Sequence, residues 1–330
     1  MSETNLDFTN ANNPQKFSFT GKGGEFIFLL FKNLFLTIIT LGIYWFWAKV
    51  ETTKFLYKNT RFQGYSFDYH ATGIEKLMGF LKAVGILIGV GIVNGLVAWI
   101  LGSIIGDAIA RVLMGVVFYL VLFIAIPIII LGALRFRLSR TSFNGIRFQF
   151  LGDPKEFTIL FLKSVGLTTI TLGFYAPWAI TAITTYITQN SIYGNHAFDL
   201  RVKAEELLFI LLKGILFSFV TFGIYSFWFR ANLHNFFWNN YYFQNGKTSS
   251  DLTGGKLLIT ALKSVGLLFI SFGIALPWVI LMNRKVLVES LSFSTSVDFD
   301  SIADMPIKPG SATIENLGGD ALDSFGSIAG

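Results

Sequence analysis

Thr40-Leu41-Gly42-Ile43-Tyr44-Trp45-Phe46-Trp47 ends the first hydrophobic stretch of the chain, and the pattern returns three times. It recurs as Thr171-Leu172-Gly173-Phe174-Tyr175-Ala176-Pro177-Trp178. It returns as Thr221-Phe222-Gly223-Ile224-Tyr225-Ser226-Phe227-Trp228, and then as Ser271-Phe272-Gly273-Ile274-Ala275-Leu276-Pro277-Trp278. Each copy has a lysine eight residues before its Thr or Ser: Lys32, Lys163, Lys213 and Lys263. Self-similarity of this kind marks a chain built from internal repeats. The copies alternate, the first and third ending in Phe-Trp and the second and fourth in Pro-Trp. The spacing from Thr60-Arg61-Phe62-Gln63-Gly64 to Thr141-Ser142-Phe143-Asn144-Gly145 reads as one extra unit inserted in the first half, carrying an additional helix pair over 77–134.

Around these copies the composition demands lipid. Of 330 residues 53% are apolar, 36 are Phe and only 14% are charged, with a mean hydropathy of +0.59. Soluble domains carry about 25% charged residues. Disordered, nucleic-acid-binding and disulfide-rich classes are thereby excluded, and cysteine is absent. The first 25 residues are polar, with no short apolar core before a cleavage site, so the first hydrophobic span is expected to act as the insertion signal.

A bilayer core takes about 20 apolar residues in a helix. Six segments qualify: 26–47, 77–101, 112–134, 157–180, 207–229 and 257–282. None holds Asp or Glu, and five hold a lysine, the fifth being Lys82. If each crosses once, loops 48–76, 135–156 and 230–256 share a side, with thirteen basic and six acidic residues. The positive-inside rule places that side in the cytoplasm. The alternative makes Gly42, Gly173, Gly223 and Gly273 hairpin tips, and the chain after each Trp would then return through lipid. That return holds Lys49, Glu51 and Lys54 in copy one and Arg284 and Lys285 in copy four. Such charges are costly inside a bilayer, which favours single crossings kinked at the Gly and at Pro177 or Pro277. Trp47, Trp178, Trp228 and Trp278 then suit the membrane interface.

The expected fold is an all-α polytopic membrane protein. It has about six transmembrane helices built from four internal repeats, with short amphipathic helices and small β-hairpins at the membrane surface. Its parts are a polar segment 1–25, a repeat-built domain 26–290 and an acidic, disordered tail 291–330. The copies lie near 26–75, 157–204, 206–250 and 256–295. The hairpins are read from Thr-x-Phe-(Gln/Asn)-Gly at 60–64 and 141–145 and from Phe243-Gln244-Asn245-Gly246, since Asn-Gly between apolar residues turns a strand.

Phe17-Ser18-Phe19-Thr20-Gly21-Lys22-Gly23-Gly24-Glu25-Phe26 opens a wider pattern. It continues through Asn33, Leu36-Thr37, Thr40-Leu41-Gly42-Ile43-Tyr44 and Phe46-Trp47-Ala48-Lys49. Asn59-Thr60, Phe67, Tyr69-His70-Ala71-Thr72-Gly73, Arg140-Thr141 and Gly145-Ile146-Arg147-Phe148 follow. Together, over residues 17 to about 290, these resemble the bacterial YjgN family of inner-membrane proteins, whose domain is of unknown function. Glu51 departs from the pattern, where the family is more basic. The resemblance implies a multi-pass inner-membrane location and transfers no reaction and no catalytic residue.

Two groups of residues stand out as candidates. Lys32, Lys163, Lys213 and Lys263 either snorkel to the headgroups or line a path for an anionic lipid or solute. Asn33, Thr37 and Thr40 share a helix face, as do Ser164, Thr168 and Thr171, then Ser218 and Thr221, then Ser264 and Ser271. Small and hydroxyl residues at this spacing serve helix packing or a polar path. No catalytic constellation, metal set or cofactor motif is found, so no enzyme is expected. Membrane lipids are the expected partners, with a protein partner or homo-oligomer left open and no nucleic acid. Transport or lipid and anion handling is one reading, and a non-catalytic membrane scaffold is the other.

Overall fold

The structure, a computed structural model, describes residues 14–294 together with Val297, Phe299 and Ile302. Among the described residues there are ten helices and eleven strands. The chain begins with β1 (Gln15–Lys16), β2 (Ser18–Phe19), α1 (Gly23–Ile39), α2 (Trp45–Lys58), β3 (Thr60–Phe62) and β4 (Tyr65–Tyr69). It continues through α3 (Gly73–Ile105), α4 (Asp107–Ser139), β5 (Thr141–Phe143) and β6 (Ile146–Phe150). Then come α5 (Pro154–Ile170), α6 (Ala176–Gln189), β7 (Ser191–Tyr193) and β8 (His196–Leu200). The last part is α7 (Ala204–Val220), α8 (Ser226–Trp238), β9 (Tyr241–Phe243), β10 (Gly246–Ser250), α9 (Gly254–Ile270), α10 (Leu276–Glu289) and β11 (Leu291–Phe293).

The strands form one antiparallel sheet in the order β1-β11-β10-β9-β8-β7-β6-β5-β4-β3-β2. Its two ends are consecutive in sequence. β1 pairs with β11, β2 pairs with β3, and the Phe17 amide between them donates to the Leu291 carbonyl. The sheet therefore curls into a barrel that exposes no long free edge. The tight turns follow from their residues: Gln63-Gly64 and Asn144-Gly145 both take positive φ, as a two-residue turn matched to strand twist requires. Alternate side chains point inward, where Phe62, Phe143, Tyr193, Phe243 and Phe293 form one buried cluster.

The helices stand on this barrel as five pairs in a ring. Within a pair the helices pack on each other, and each pair packs on the next, with α10 against α1 closing the circle. Five equivalent hydrogen bonds tie the pairs to the barrel. The amides of Thr20, His70, Leu151, Arg201 and Asp251 donate to the carbonyls of Asn59, Arg140, Asn190, Asn240 and Ser290, each at the end of a pair. Between pairs an indole replaces a side chain. A Cβ at Gly23, Gly73 or Gly254 would collide with Trp278, Trp47 or Trp228, respectively.

This overturns the all-α, six-span expectation. Two helices, α3 and α4, are long and apolar enough to cross a membrane. The other apolar windows each ran through a turn. Residues 40–44, 171–175, 221–225 and 271–275 are turns between two packed helices, so Gly42, Gly173, Gly223 and Gly273 are hairpin tips and not kinks. Pro177 and Pro277 sit in the first turn of the returning helix, where a missing N–H costs nothing. The alternation of sides also fails: Phe148, Gln149 and Phe150 pair with Tyr193, Ile192 and Ser191, which single crossing placed across the membrane. The α3–α4 pair, expected as an insertion, takes the same place in the ring as the other four. The polar segment 1–25 contributes β1 and β2, and the segment expected as a disordered tail contributes β11. Val297, Phe299 and Ile302 pack on the aromatic cluster, while residues 1–13 and the rest of the segment beyond 294 lie outside the described residues.

Candidate functional site: a basic chamber inside the ring

The repeated motif first builds turns. The Thr40 hydroxyl donates to the Leu36 carbonyl and accepts from the Tyr44 amide at 2.9 Å. Thr171 and Thr221 do the same with Leu167 and Tyr175, and with Phe217 and Tyr225. Ser271 accepts from the Ala275 amide. In each turn the Gly amide reaches back to the carbonyl five residues earlier, and the residue before it to the carbonyl three earlier. This is a Schellman ending, which normally places Gly in the left-handed position. Here that position holds Leu41, Leu172, Phe222 and Phe272, at φ of 51°, 49°, 49° and 48°.

The four candidate lysines are exposed and enter no common site. Each is the tenth residue of its helix, and so is Lys82 of α3. Lys32 pairs with Glu51 at 2.6 Å, and Tyr44 donates to the same carboxylate. The residues one step further, Asn33, Ser164, Gly214 and Ser264, are buried. Asn33 donates to the Ala48 carbonyl of α2, and Gly214 admits the Phe229 ring of α8. Thr37 and Thr168 bond back to the carbonyls of Asn33 and Ser164, while the buried Ser218 hydroxyl has no hydrogen-bond partner.

The site itself lies where the helices returning from the tips face the inside of the ring. A pocket of 530 Å³ is lined by Asn33, Thr37, Lys49, Tyr57, Arg137 and Arg284 among others. A second, of 350 Å³, shares Tyr57, Arg137 and Arg284 and continues to Thr60, Thr141 and Ser191 at the barrel's rim. Both Arg137 Nε and Nη2 donate to the Tyr57 hydroxyl at 3.3 Å. Arg284 Nε is buried with no hydrogen-bond partner. Burial holds this guanidinium below its ordinary pKa; nearby Tyr57 opposes the shift, and the Arg137 charge adds to it. Among the described residues, no Asp or Glu lines either pocket. Lys49, Arg137 and Arg284 thus line one space, and an anion reaching the buried Arg284 Nε would give it the partner it lacks. The second pocket shares Phe67, Phe148, Ile187 and Ser191 with a third, of 370 Å³, inside the barrel and walled mainly by aromatic rings.

Two overlapping stretches, residues 14–224 and 205–319, match the model of a family described as "Bacterial protein of unknown function (DUF898)". The chain belongs to this family. Curated relatives include "Inner membrane protein YjgN" of Escherichia coli strain K12, 30% identical over 159 residues, which are 47% of this chain and 37% of the relative. The protein of the same name from Salmonella typhimurium strain LT2 is 30% identical over 148 residues, 44% of this chain and 34% of the relative. The match therefore spans well under half the length of these relatives. The YjgN assignment implied by the sequence motifs holds, and none of these names describes an enzyme. No solved structure matches.

Sequence reasoning did not single out Arg137 or Tyr57. Lys49 and Arg284 entered as charges that argued against a return through lipid, Lys49 also as part of the family pattern. They do return, but facing the interior of the ring. The available signal was that each lies on a helix following a tip.

Proposed function

We propose that this protein resides in the bacterial inner membrane, crosses it with the α3–α4 hairpin, and holds an anionic head group in the chamber lined by Lys49, Arg137 and Arg284. The observation that carries the reading is the buried Arg284 Nε, without a hydrogen-bond partner, in the space that two adjoining pockets share with Arg137 and Tyr57. The family name of the relatives supports the location. Orientation follows from charge: between residues 83 and 134 the charged residues are Asp107 and Arg111, at the apex of the long hairpin. The other described Lys and Arg lie outside that stretch, on the barrel or on helix segments at or below the level of the repeat lysines and the short tips, so the positive-inside rule puts all five β-hairpins in the cytoplasm. The repeat lysines, on the outer surface, serve as headgroup anchors and do not line the chamber.

The test is binding by the purified full-length chain of phosphatidylglycerol, phosphatidylethanolamine and inorganic phosphate, read by native mass spectrometry and thermal shift. Preferential retention of phosphatidylglycerol is expected. Arg137→Gln with Arg284→Gln should weaken it about 10-fold or more, since hydrogen bonds to charged groups contribute about 1.5–3 kcal/mol each. Lys163→Ala with Lys263→Ala should leave chamber binding unchanged. Equal retention of both lipids, or indifference to the double arginine variant, sinks the reading. Binding of phosphate alone would redirect it to a soluble anion.

A further inference from the structure

We infer that the four short hairpins, α1–α2, α5–α6, α7–α8 and α9–α10, end inside the leaflet on the barrel side, with the left-handed tip residue buried in acyl chains. Three independent features point there. The first is the tip. Leu41, Leu172, Phe222 and Phe272 are 94%, 96%, 98% and 96% exposed. Each holds a left-handed φ that Gly would adopt without strain. A large apolar side chain that is both strained and bare of protein contact, at the same point of four turns, gains only if lipid covers it.

The second is length. Each tip residue follows its repeat lysine by nine positions, Lys32 to Leu41 and likewise Lys163 to Leu172, Lys213 to Phe222 and Lys263 to Phe272. At 1.5 Å per residue the tip lies about 13.5 Å along the axis from the lysine's Cα. Half a hydrocarbon core is about 15 Å. From Lys82 to Gly106 the same rise gives about 36 Å, enough to cross. The third is the surface between lysine and tip. Ile38, Ile39, Ile170, Phe219, Val220, Phe269 and Ile270 are all largely exposed, with no charged residue among them. With the lysines at the headgroups, the whole ring sits as a plug in one leaflet.

The inference rests on the crossing of α3–α4 and is independent of the anion chamber. The native chain has no cysteine, so single cysteines report cleanly. In sealed vesicles of each orientation, Arg61→Cys should react with a membrane-impermeant maleimide from the barrel side only, and Asp107→Cys from the far side only. Leu41→Cys, Leu172→Cys, Phe222→Cys and Phe272→Cys should react from neither, as should Ile43→Cys and Ile274→Cys, which avoid the strained position. A fluorophore attached to these cysteines in detergent, then reconstituted, should be quenched most strongly by phospholipid brominated near the chain ends. Tips that react from the same side as position 107 overturn the inference in favour of full crossing. Tips that react from the side of position 61 place the hairpins in water. Tips that are unreactive and also unquenched are covered by protein, and that too refutes it. A position 107 unreactive from the far side sinks the crossing itself and leaves the chamber reading untouched.

Discussion

The α3–α4 hairpin and its four shorter counterparts begin alike and end differently. Both kinds are anchored at the base by the same amide-to-carbonyl bond onto the barrel, and both carry a lysine at the tenth residue. Both turn on a glycine of positive φ, Gly106 in one and Gly42, Gly173, Gly223 or Gly273 in the others. The long pair runs 33 residues each way and ends on Asp107 with Arg111 one turn on. The short pairs run 17 residues out and end on Leu or Phe. A shared base fixes where a hairpin stands; length and apex chemistry decide whether its tip meets water or hydrocarbon.

The sharpest way to break this comparison is a charge at matched depth. Val93, lipid-facing and halfway along the long pair, should not tolerate Arg: a mid-bilayer cation costs about 2.5–3.5 kcal/mol on insertion scales. The inserted, folded fraction of Val93→Arg should fall by about a hundredfold. Phe269→Arg, near a short tip, should fall comparably if that tip lies in hydrocarbon, and hardly at all if it lies in water. Next in size is the joint. Gly73→Val forces side-chain atoms into the Trp47 ring, and overpacking costs about 1–3 kcal/mol. Gly85→Val, on the same helix with no atom within 4 Å of its added Cβ, should leave the melting temperature close to that of the parent.

A smaller effect is expected at the turns. Thr221→Ala removes the acceptor for the Tyr225 amide and should lower stability by about 1 kcal/mol, read by thermal unfolding in detergent. Ser103→Ala, near the long apex, loses only an exposed bond to the Ile100 carbonyl and should change little. Smallest, and opposite in sign between assays, is Leu172→Gly. Relief of the left-handed strain should raise the detergent melting point slightly, by roughly 0.5 kcal/mol once the added chain entropy of Gly is set against it. Retention by lipid vesicles should weaken. A fall in both assays would show that Leu172 packs on protein.

Part of this architecture is legible in the residues alone. The lysine-to-Gly spacing marks the four repeats, though their glycines read as kinks and not as turns, and the Asn-Gly and Gln-Gly pairs locate strands. Legibility ends where a turn is written in apolar letters. Leu-Gly-Ile within 40–44 keeps a hydropathy window high, so two short helices pass as one long span. Phe80-Leu81-Lys82-Ala83-Val84-Gly85 parallels Phe161-Leu162-Lys163-Ser164-Val165-Gly166. That match sets α3 beside the other outgoing helices, yet the missing Thr-x-Gly-x-Tyr turn hides it. The chamber is out of reach because Lys49, Arg137 and Arg284 come from α2, α4 and α10. Only the closing of the ring makes them neighbours.

That closing also sets a timetable. β1 and β11 are complementary edges held at opposite ends of the described chain, so β1 waits for β11 to be synthesised. At roughly 5–20 residues per second, the interval between Phe19 and Leu291 is on the order of fifteen seconds to a minute. Throughout it, the edge of β1 that β11 will cover stays available to other strands. Chaperone capture or strand exchange between nascent neighbours would find its opening in that window, and the pairing of β11 with β1 closes it.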